Sequence, residues 1–316
     1  MRAIGLSEFG GPDVLREFEL PEPEVGPGQV RIRVRAATVN PADAVFREGL
    51  LNRAYFGEVT PPWIPGWEAA GVVDAADPAS GWRVGDEVTA IVGTVLRARG
   101  GYAEQIVLDG DSVTARPAGT DFAAAATLPM NGLTAVAALD QLALADGAAL
   151  AVTGAAGAVG GYVVQLAKAA GLTVVADAAP ADADTVRAFG ADVVVARGDS
   201  FAEQVRRVFP AGVDAVIDAA VVGAAVLAAV RDGGAYAALR RAELTGGVES
   251  VRGIAMHDVK VPEYIHRRDR LDGLRELVEA GRLTLRVART LPVTEVAAAH
   301  RLLNTRGLRG RIVLEF

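Results

Sequence analysis

The chain has 316 residues, a net charge of −7 and no cysteine. The length favours two domains over a single core, and the negative charge argues against nucleic acid as a partner. The lack of cysteine excludes disulfides, thiolate catalysis and cysteine-ligated zinc.

Apolar residues make up 51% of the chain, yet no apolar run reaches the roughly 18 residues that a membrane span requires. The first residues, MRAI, lack the apolar core of a secretion signal. We therefore expect a globular, cytoplasmic protein with no membrane partner.

Residues 1 to 118 show short strand-like runs separated by turns. Residues 30–36 alternate apolar and charged side chains, which is typical of a strand with one buried face. Asn40 and Pro41 open a short helix, with Asp43 in its first turn. Further strands are predicted over 66–73 and after the glycine turns at 85 and 101. Many short strands with turn signals indicate a partly open β-barrel.

From residue 121, buried-strand patterns alternate with helical spacing, which predicts a doubly wound parallel sheet of about six strands. The last of these strands is predicted over 251–256. A helix over 270–280 and a strand over 311–316 would return to the first domain. The expected α/β organisation is therefore a barrel domain over 1–120, a dinucleotide-binding domain over 121–262 and a returning segment over 263–316.

Residues 149–179 form the most informative stretch, a strand–helix–strand unit with a turn made of small residues. The turn follows the Gly-x-Gly-x-x-Gly pattern, with Ala155 in the first place, then Gly157 and Gly160. A helix N-terminus attracts phosphate through its unpaired N–H groups, and larger side chains would keep a pyrophosphate away. The unit predicts a dinucleotide site, and plain helix–strand packing of the glycines is the alternative.

The motifs along the whole chain resemble the medium-chain dehydrogenase/reductase superfamily, in particular its zinc-free quinone oxidoreductase branch, the zeta-crystallin-like proteins. The motifs that carry the resemblance are VNPAD at 39–43 with Arg47 and Gly49, IPGWEAAGVV at 64–73, GDEV at 85–88, GYAE at 101–104, LPMNGLTA at 128–135 and GRIVL at 310–314. The resemblance implies a GroES-like first domain, a Rossmann second domain, and hydride transfer from nicotinamide to a quinone or an α,β-unsaturated ketone.

The resemblance also implies that no catalytic metal is used. The zinc alcohol dehydrogenase relatives hold their metal with Cys, His and Cys, and our alignment places Asn40, Trp67 and Met130 at those positions. None of the three is a usual zinc ligand. Without a Lewis acid alcohol oxidation is difficult, whereas a quinone or enone is already electrophilic and needs only hydrogen bonds to its developing oxyanion.

Candidate catalytic residues follow from the same alignment. Asn40 could contact the substrate or cap the short helix. Trp67 could stack on a quinone ring or pack in the core, and Tyr55 is the phenol we nominate as a proton donor. Asp43 is expected to hold the first helix. The three histidines, His257, His266 and His300, show no metal-ligand spacing and are expected at the surface.

The candidate cofactor-binding set combines the glycine turn with the ends of neighbouring strands. Its members are Asn40, Met130, Thr134, Gly154, Ala156, Gly157, Ala158, Val159, Gly160, Ala176, Asp177, Ala178, Arg187, Ala219 and Leu239.

Cofactor preference depends on the residues after the second strand. Asp177 lies close to the point where an acid binds the ribose 2′-hydroxyl of NAD, although the usual acid position in our alignment is Ala179. The resembling branch usually prefers NADPH through a Ser and a Lys, which this segment lacks, and its acids would repel a 2′-phosphate. We favour NADP(H), leave NAD(H) open, and nominate Arg187 or Arg309 as the phosphate partner.

Two other functions stay open at this stage. One is an enoyl-thioester reductase, and the other is a dinucleotide-binding protein without catalysis. We also expect a homodimer, because in the resembling branch two Rossmann sheets join edge to edge and the strand over 251–256 would be the edge that needs covering.

Overall fold

The computed structural model describes residues 1–50, 60–93, 99–240, 242–303, 305 and 307–316. The chain divides into two compact units. The first, here called the barrel unit, comprises Met1–Met130, Pro262–Gly281 and Leu285–Phe316. The second, the parallel-sheet unit, comprises Asn131–Val261 and Arg282–Thr284.

The strands and helices of the described residues are numbered in chain order. The strands are β1 (Arg2–Gly5), β2 (Arg16–Glu19), β3 (Gln29–Val39), β4 (Glu68–Ala76), β5 (Glu87–Ile91), β6 (Gln105–Asp109), β7 (Val113–Ala115), β8 (Ala149–Thr153), β9 (Thr173–Ala178), β10 (Val193–Ala196), β11 (Val213–Asp218), β12 (Val230–Ala238), β13 (Ala255–Asp258), β14 (Val287–Pro292) and β15 (Arg311–Glu315). The helices are α1 (Pro41–Arg47), α2 (Phe122–Ala125), α3 (Pro129–Leu142), α4 (Ala158–Ala169), α5 (Ala183–Ala188), α6 (Phe201–Val208), α7 (Ala242–Thr245), α8 (Arg268–Glu279) and α9 (Val296–Leu302).

The barrel unit is built around the long strand β3. The described strands follow the order β14-β15-β3-β4-β5-β7, and β6 also pairs with β3. Val30, Ile32 and Val34 alternate inward along β3 and are buried in the apolar core of this unit. The alternation forms a strand because side chains two residues apart share one face. β14 and β15 return from the C-terminus, so the last strand lies directly beside β3.

The parallel-sheet unit has the strand order β10-β9-β8-β11-β12-β13, and all of its described pairs are parallel. Every residue of β8 is buried, as expected for a strand covered on both faces. The order reverses between β8 and β11, and ligands of such sheets bind at that point, beyond the carboxyl ends of the strands. The predicted partly open barrel and doubly wound parallel sheet are both confirmed.

Two strand boundaries differ from the prediction for reasons of backbone geometry. The last strand begins at Ala255 rather than 251, because Arg252 (φ 52°) and Gly253 (φ 70°) form a left-handed turn before it. β4 begins at Glu68 rather than 66, because Gly66 has φ 108° and lies against the chain at Gly101.

One stretch corrects the expectation about apolar runs. Within the described residues, Phe122–Leu142 is long and apolar enough to span a membrane, with a mean hydropathy of 1.4 in its 18-residue window. Our statement that no run reaches that length is therefore wrong. Of that window, 67% is buried inside the structure, which is typical of core helices. The stretch contains α2 and α3.

Candidate active site

The glycine turn between β8 and α4 is shaped by contacts that leave no room for side chains. Gly154 has a left-handed backbone (φ 66°), a conformation that glycine adopts readily. A Cβ on Gly160 would lie 2.2 Å from the carbonyl oxygen of Gly154. Helix α4 therefore begins in direct contact with the turn before it.

Backbone amides at the start of α4 are the candidate anion-binding groups of this unit. Gly157 is the N-cap residue, and Ala158, Val159 and Gly160 form the first turn. The N–H of Gly157 donates to the carbonyl of Gly154 at 2.8 Å, whereas N–H groups in the first turn of a helix have no acceptor within the helix, and the helix dipole adds positive potential there. Ala156, which completes the predicted set in this turn, is buried. The turn presents small residues and backbone donors, so it fits a pyrophosphate group.

Asp177 has a different role from the one expected of a ribose ligand. It lies at the end of β9 between Ala176 and Ala178, with only 4% of its surface exposed. Its Oδ1 accepts a hydrogen bond from the N–H of Ala155 at 3.2 Å. Burial raises the pKa of this carboxyl, and the Ala155 N–H offsets part of that rise. The side chain therefore stabilises the glycine turn from beneath.

Asp218 joins three strand ends and was missed by the sequence analysis. Its Oδ1 accepts hydrogen bonds from the hydroxyl of Thr153 at 2.6 Å and from the N–H of Val222 at 3.0 Å. Its Oδ2 accepts from Tyr236 Oη at 3.0 Å and from the N–H of Gly223 at 2.8 Å. The available signal was an acid that directly follows the buried run 213–217.

Two further predicted cofactor residues directly follow strands at this edge of the sheet. Ala219 comes after the end of β11 and Leu239 after the end of β12. Ala219 follows Asp218, and Leu239 follows Ala238. Asp218 and Ala238 are paired between β11 and β12, so Ala219 and Leu239 leave the sheet at the same level. Thr134, also in this unit, lies in α3 and is 9% exposed.

The arginines near the end of β9 differ in their partners. Arg187, which we nominated for a 2′-phosphate, donates a hydrogen bond to Asp184 at 2.7 Å on the exposed face of α5. Arg197 directly follows β10 and is exposed, and its guanidinium has no hydrogen bond or ion pair with the described residues. The sequence pattern did not reveal Arg197, because its position beside the end of β9 depends on the pairing of β10 with β9. Arg309 lies in the barrel unit, where it donates to the carbonyl of Leu308.

The barrel unit contains a buried ion pair that is hydrogen-bonded to two of the positions that aligned with zinc ligands, Asn40 and Met130. Arg311 Nη2 donates to Glu68 Oε1 at 2.7 Å, to Asn40 Oδ1 at 2.6 Å and to Thr38 Oγ1 at 2.8 Å. Glu68 is fully buried, and its Oε2 accepts from the N–H of Met130 at 2.7 Å. The Asn40 amide also donates to Thr38 and Glu68. Both ends of the Asn40 side chain are thus engaged inside the protein.

This arrangement does not fit a zinc ion. Asn40, Trp67 and Met130 offer an amide, an indole and a thioether, none of which is a usual zinc ligand. The Arg311 guanidinium lies against Asn40 and Glu68 and would repel a second cation. Trp67 is 4% exposed and packs in the apolar core, and its Nε1 has no hydrogen-bond partner among the described residues. Its burial favours the packing interpretation over stacking on a substrate.

A second buried network connects α1 with α9. Asp43 Oδ2 accepts from the N–H of Asn40 at 2.8 Å, and its Oδ1 accepts from the N–H of Gly66 at 2.7 Å. Tyr102 Oη lies 3.3 Å from both Asp43 Oδ2 and His300 Nε2. These contacts show Asp43 holding the start of α1 against Gly66.

The protonation of this network is set by burial. Burial raises the pKa of Asp43 to about 7. Burial, followed by the nearby positive charge of Arg47, lowers the pKa of His300 to about 3. His300 is only 1% exposed, so the expectation that it lies at the surface is wrong. His300 is neutral at physiological pH.

His266 is exposed, as expected, but it lies among possible metal ligands, which its spacing in the sequence did not indicate. Asp109, Asp111 and His266 are the group of this kind within the described residues, with ligand atoms within 4.8 Å of one another. His266 Nδ1 and Asp111 Oδ1 lie 2.8 Å apart and form a hydrogen bond. Tyr55, the nominated proton donor, lies outside the described residues.

Comparison with known proteins places these features in one family. Residues 26–118 match the alcohol dehydrogenase GroES-like domain, and residues 189–314 match the domain described as zinc-binding dehydrogenase. A chloroplastic NADPH-dependent alkenal/one oxidoreductase from Arabidopsis thaliana is 30% identical over 324 residues, 99% of this chain and 79% of the relative. A quinone oxidoreductase from Sus scrofa is 29% identical over 334 residues, 99% of this chain and 97% of the relative.

Solved structures give the same result. The CurK enoyl reductase superposes with a TM-score of 0.86 at 26% identity, covering 99% of this chain and 98% of that one. Mycobacterial Rv1454c complexed with NADPH superposes with a TM-score of 0.84 at 28% identity over 100% of both chains. The alignments with two other curated relatives span only 50% and 60% of those proteins' length.

A GroES-like barrel unit and a parallel-sheet unit with a small-residue turn are the class of fold that this chain shares with these relatives. The chain belongs to the medium-chain dehydrogenase/reductase superfamily, in the branch of quinone oxidoreductases and enone reductases.

Proposed function

We propose that this oxidoreductase transfers a hydride from NAD(P)H to a quinone or an α,β-unsaturated ketone without a metal ion. The observation that carries the proposal is the buried Arg311–Glu68–Asn40 cluster, because it engages Asn40, one of the three positions that our alignment places at the zinc ligands, with a guanidinium. Without a Lewis acid a simple alcohol or carbonyl is a poor substrate. An acceptor that is already electron-poor fits this chemistry better.

The parallel-sheet unit supplies the groups that would hold the cofactor. When bound, the reduced nicotinamide supplies the hydride. The N–H groups of Ala158, Val159 and Gly160 would bind the pyrophosphate, since Gly157 and Gly160 carry no side chain that could cover them. Asp218 would keep the ends of β8, β11 and β12 in register below it, through Thr153 and Tyr236. These residues would bind and orient the cofactor, and we assign no proton transfer to any of them.

For the cofactor itself we propose NADPH. The names of two of the similar proteins carry NADPH. The acid that would favour NAD through its ribose hydroxyl is Asp177, and its Oδ1 is occupied by the Ala155 N–H. The position where that acid usually lies is Ala179, which offers no hydrogen-bonding side chain.

The proton donor and the roles of the barrel residues stay proposals. We propose Tyr55 as the donor; Tyr55→Phe should lower kcat with little change in KM for NADPH if this is correct. For Asn40 the hydrogen bonds favour a positioning role, because both ends of its amide are engaged by Arg311, Thr38 and Glu68.

Stopped-flow oxidation of NADPH tests the reaction. The panel should contain quinones, α,β-unsaturated ketones and crotonyl thioesters. We expect turnover with the first two classes and activity that survives a metal chelator. Turnover with thioesters alone would favour an enoyl-thioester reductase, the alternative that the similarity to CurK enoyl reductase supports. Tight NADPH binding without turnover of any acceptor would favour a binding protein and refute the proposal.

We further propose a homodimer that forms through β13. This strand ends the order of the parallel sheet, and an uncovered strand edge offers unpaired backbone groups to a second chain. Size-exclusion chromatography with light scattering should give twice the chain mass. A monomer at micromolar concentration would contradict this proposal.

A further inference from the structure

The ends of β9 and β10 bring one unpaired cation to the part of the parallel-sheet unit where the cofactor ribose would lie. We propose that Arg197 binds the 2′-phosphate of NADPH and sets the preference for NADPH over NADH. This inference rests on the proposed function, since it assigns the cofactor of the same site.

Strand register places Arg197 beside the end of β9. Val195 pairs with Asp177 and Ala196 pairs with Ala178. The N–H of Arg197 then donates to the carbonyl of Ala178 at 3.0 Å. Arg197 therefore lies next to the residue that follows Ala178, which is Ala179, the usual position of the acid that binds the ribose hydroxyls. Arg197, at the end of β10, therefore lies beside Ala179, the position at which this chain lacks the usual acid.

The charge balance at this point favours a phosphate more than the sequence suggested. Asp177 is buried, and burial raises the pKa of its carboxyl, a rise that the Ala155 N–H and the positive charge of Arg197 partly offset. Asp177 is 4% exposed and accepts the hydrogen bond from the Ala155 N–H of the glycine turn, whereas Arg197 is exposed to solvent.

Three other acidic side chains, Asp182, Asp184 and Asp199, occur in the segments that follow β9 and β10. Asp184 is hydrogen-bonded to Arg187, so these two charges cancel on α5. Asp182 is 9% exposed, and Asp199 is exposed two residues beyond Arg197. Arg197 is the cation of this group whose guanidinium has no partner among the described residues. A phosphate monoester, which carries nearly two charges and accepts bidentate hydrogen bonds, is the ligand that such a guanidinium recognises best.

Direct binding measurements test this assignment apart from catalysis. The probes are NADPH, NADH, 2′,5′-ADP and 5′-AMP, titrated by calorimetry into the full-length protein and its Arg197→Gln variant. We expect the wild type to prefer NADPH and 2′,5′-ADP. The variant should lose about 10- to 100-fold affinity for these two probes, the range for one charge-assisted contact. Its affinity for NADH and 5′-AMP should change less than about twofold.

Matched variants make the result decisive. Arg207→Gln removes an exposed arginine on α6 that pairs with Glu203, and it should leave all four affinities unchanged. Equal losses for NADPH and NADH in Arg197→Gln would overturn the proposal, as would a selective loss in Arg187→Gln instead. If the wild type binds NADPH selectively through Arg197 yet reduces no acceptor, the proposed function fails and the assignment of Arg197 stands.

Discussion

The buried ion pair between Arg311 and Glu68 allows a quantitative test of how the barrel unit is held together. Their side chains are 6% and 0% exposed, and the nitrogen and oxygen lie 2.7 Å apart. Arg311→Met would leave a buried carboxylate without its counter-charge. Removing one partner of such a pair destabilises a protein by about 3–5 kcal/mol. We expect the free energy of unfolding of the barrel unit to fall by that amount.

A double variant separates charge from packing. In Glu68→Gln/Arg311→Met no buried charge is left uncompensated, so much of the lost stability should return. Recovery should be incomplete, because Asn40 Oδ1 loses its donor at Arg311, while Thr38 Oγ1 keeps the Asn40 amide as a donor. Each unsatisfied buried acceptor costs about 1–3 kcal/mol.

Tryptophan fluorescence during urea unfolding reports on this unit alone. The protein has three tryptophans, and Trp63, Trp67 and Trp82 all lie in the barrel unit. Arg289→Met, which changes an exposed arginine on β14, is the control and should shift stability by less than about 0.5 kcal/mol. The reasoning is refuted if Arg311→Met unfolds within about 1 kcal/mol of the wild type, or if the double variant is no more stable than the single one.

Three further outcomes are expected. Gly160→Val should abolish measurable NADPH binding while the tryptophan transition stays in place, because its Cβ would lie 2.2 Å from the Gly154 carbonyl oxygen; retained affinity in calorimetry would show that the turn can move. Burial raises the pKa of Asp43 from 3.8 to about 7, so the ionisation of Asp43 lowers the stability of the barrel unit as the pH rises from 3.8 to about 7. Burial lowers the pKa of His300 from 6.5 to about 3, so the deprotonation of His300 raises the stability of the same unit as the pH rises from about 3 to 6.5. In the Asp43→Asn variant, the stability to urea should therefore rise from pH 4 to 6.5, a rise that the wild type largely lacks. If the stability of the variant stays constant over this range, the opposing effects of Asp43 and His300 are contradicted. Thr153→Val removes the 2.6 Å hydrogen bond to Asp218 and should destabilise the parallel-sheet unit by about 1.5–3 kcal/mol, as measured by far-ultraviolet circular dichroism; an unchanged transition would show that Asp218 does not depend on it.

The features predicted from the sequence are those that depend on neighbouring residues. The alternation along β3 and the small-residue turn before α4 are local patterns, and each is visible within about a dozen residues. Asp43 lies three residues beyond Asn40, so its role at the start of α1 could also be anticipated.

The features that were missed depend on distant pairings. Glu68 and Arg311 are 243 residues apart, and only the pairing of β15 with β3 brings them together. His300 follows an apolar helical run, but its burial depends on Tyr102 and Arg47, which lie far away in the chain. Arg197 gains its position from the pairing of β10 with β9. The periodicity of a single segment does not indicate which distant residues will pair with it.

The position of β15 within its sheet has a consequence for synthesis on the ribosome. Residues Asn131–Val261 make up nearly all of the parallel-sheet unit and leave the exit tunnel as one continuous piece, which can fold as it emerges. The sheet beside β3 stays incomplete until residues 311–315 are translated, because β15 is formed by Arg311–Glu315 and pairs with β3. A nascent chain stalled short of residue 311 would hold the Glu68 carboxylate without the Arg311 guanidinium, and chaperones would meet an incomplete barrel unit after the parallel sheet has already formed.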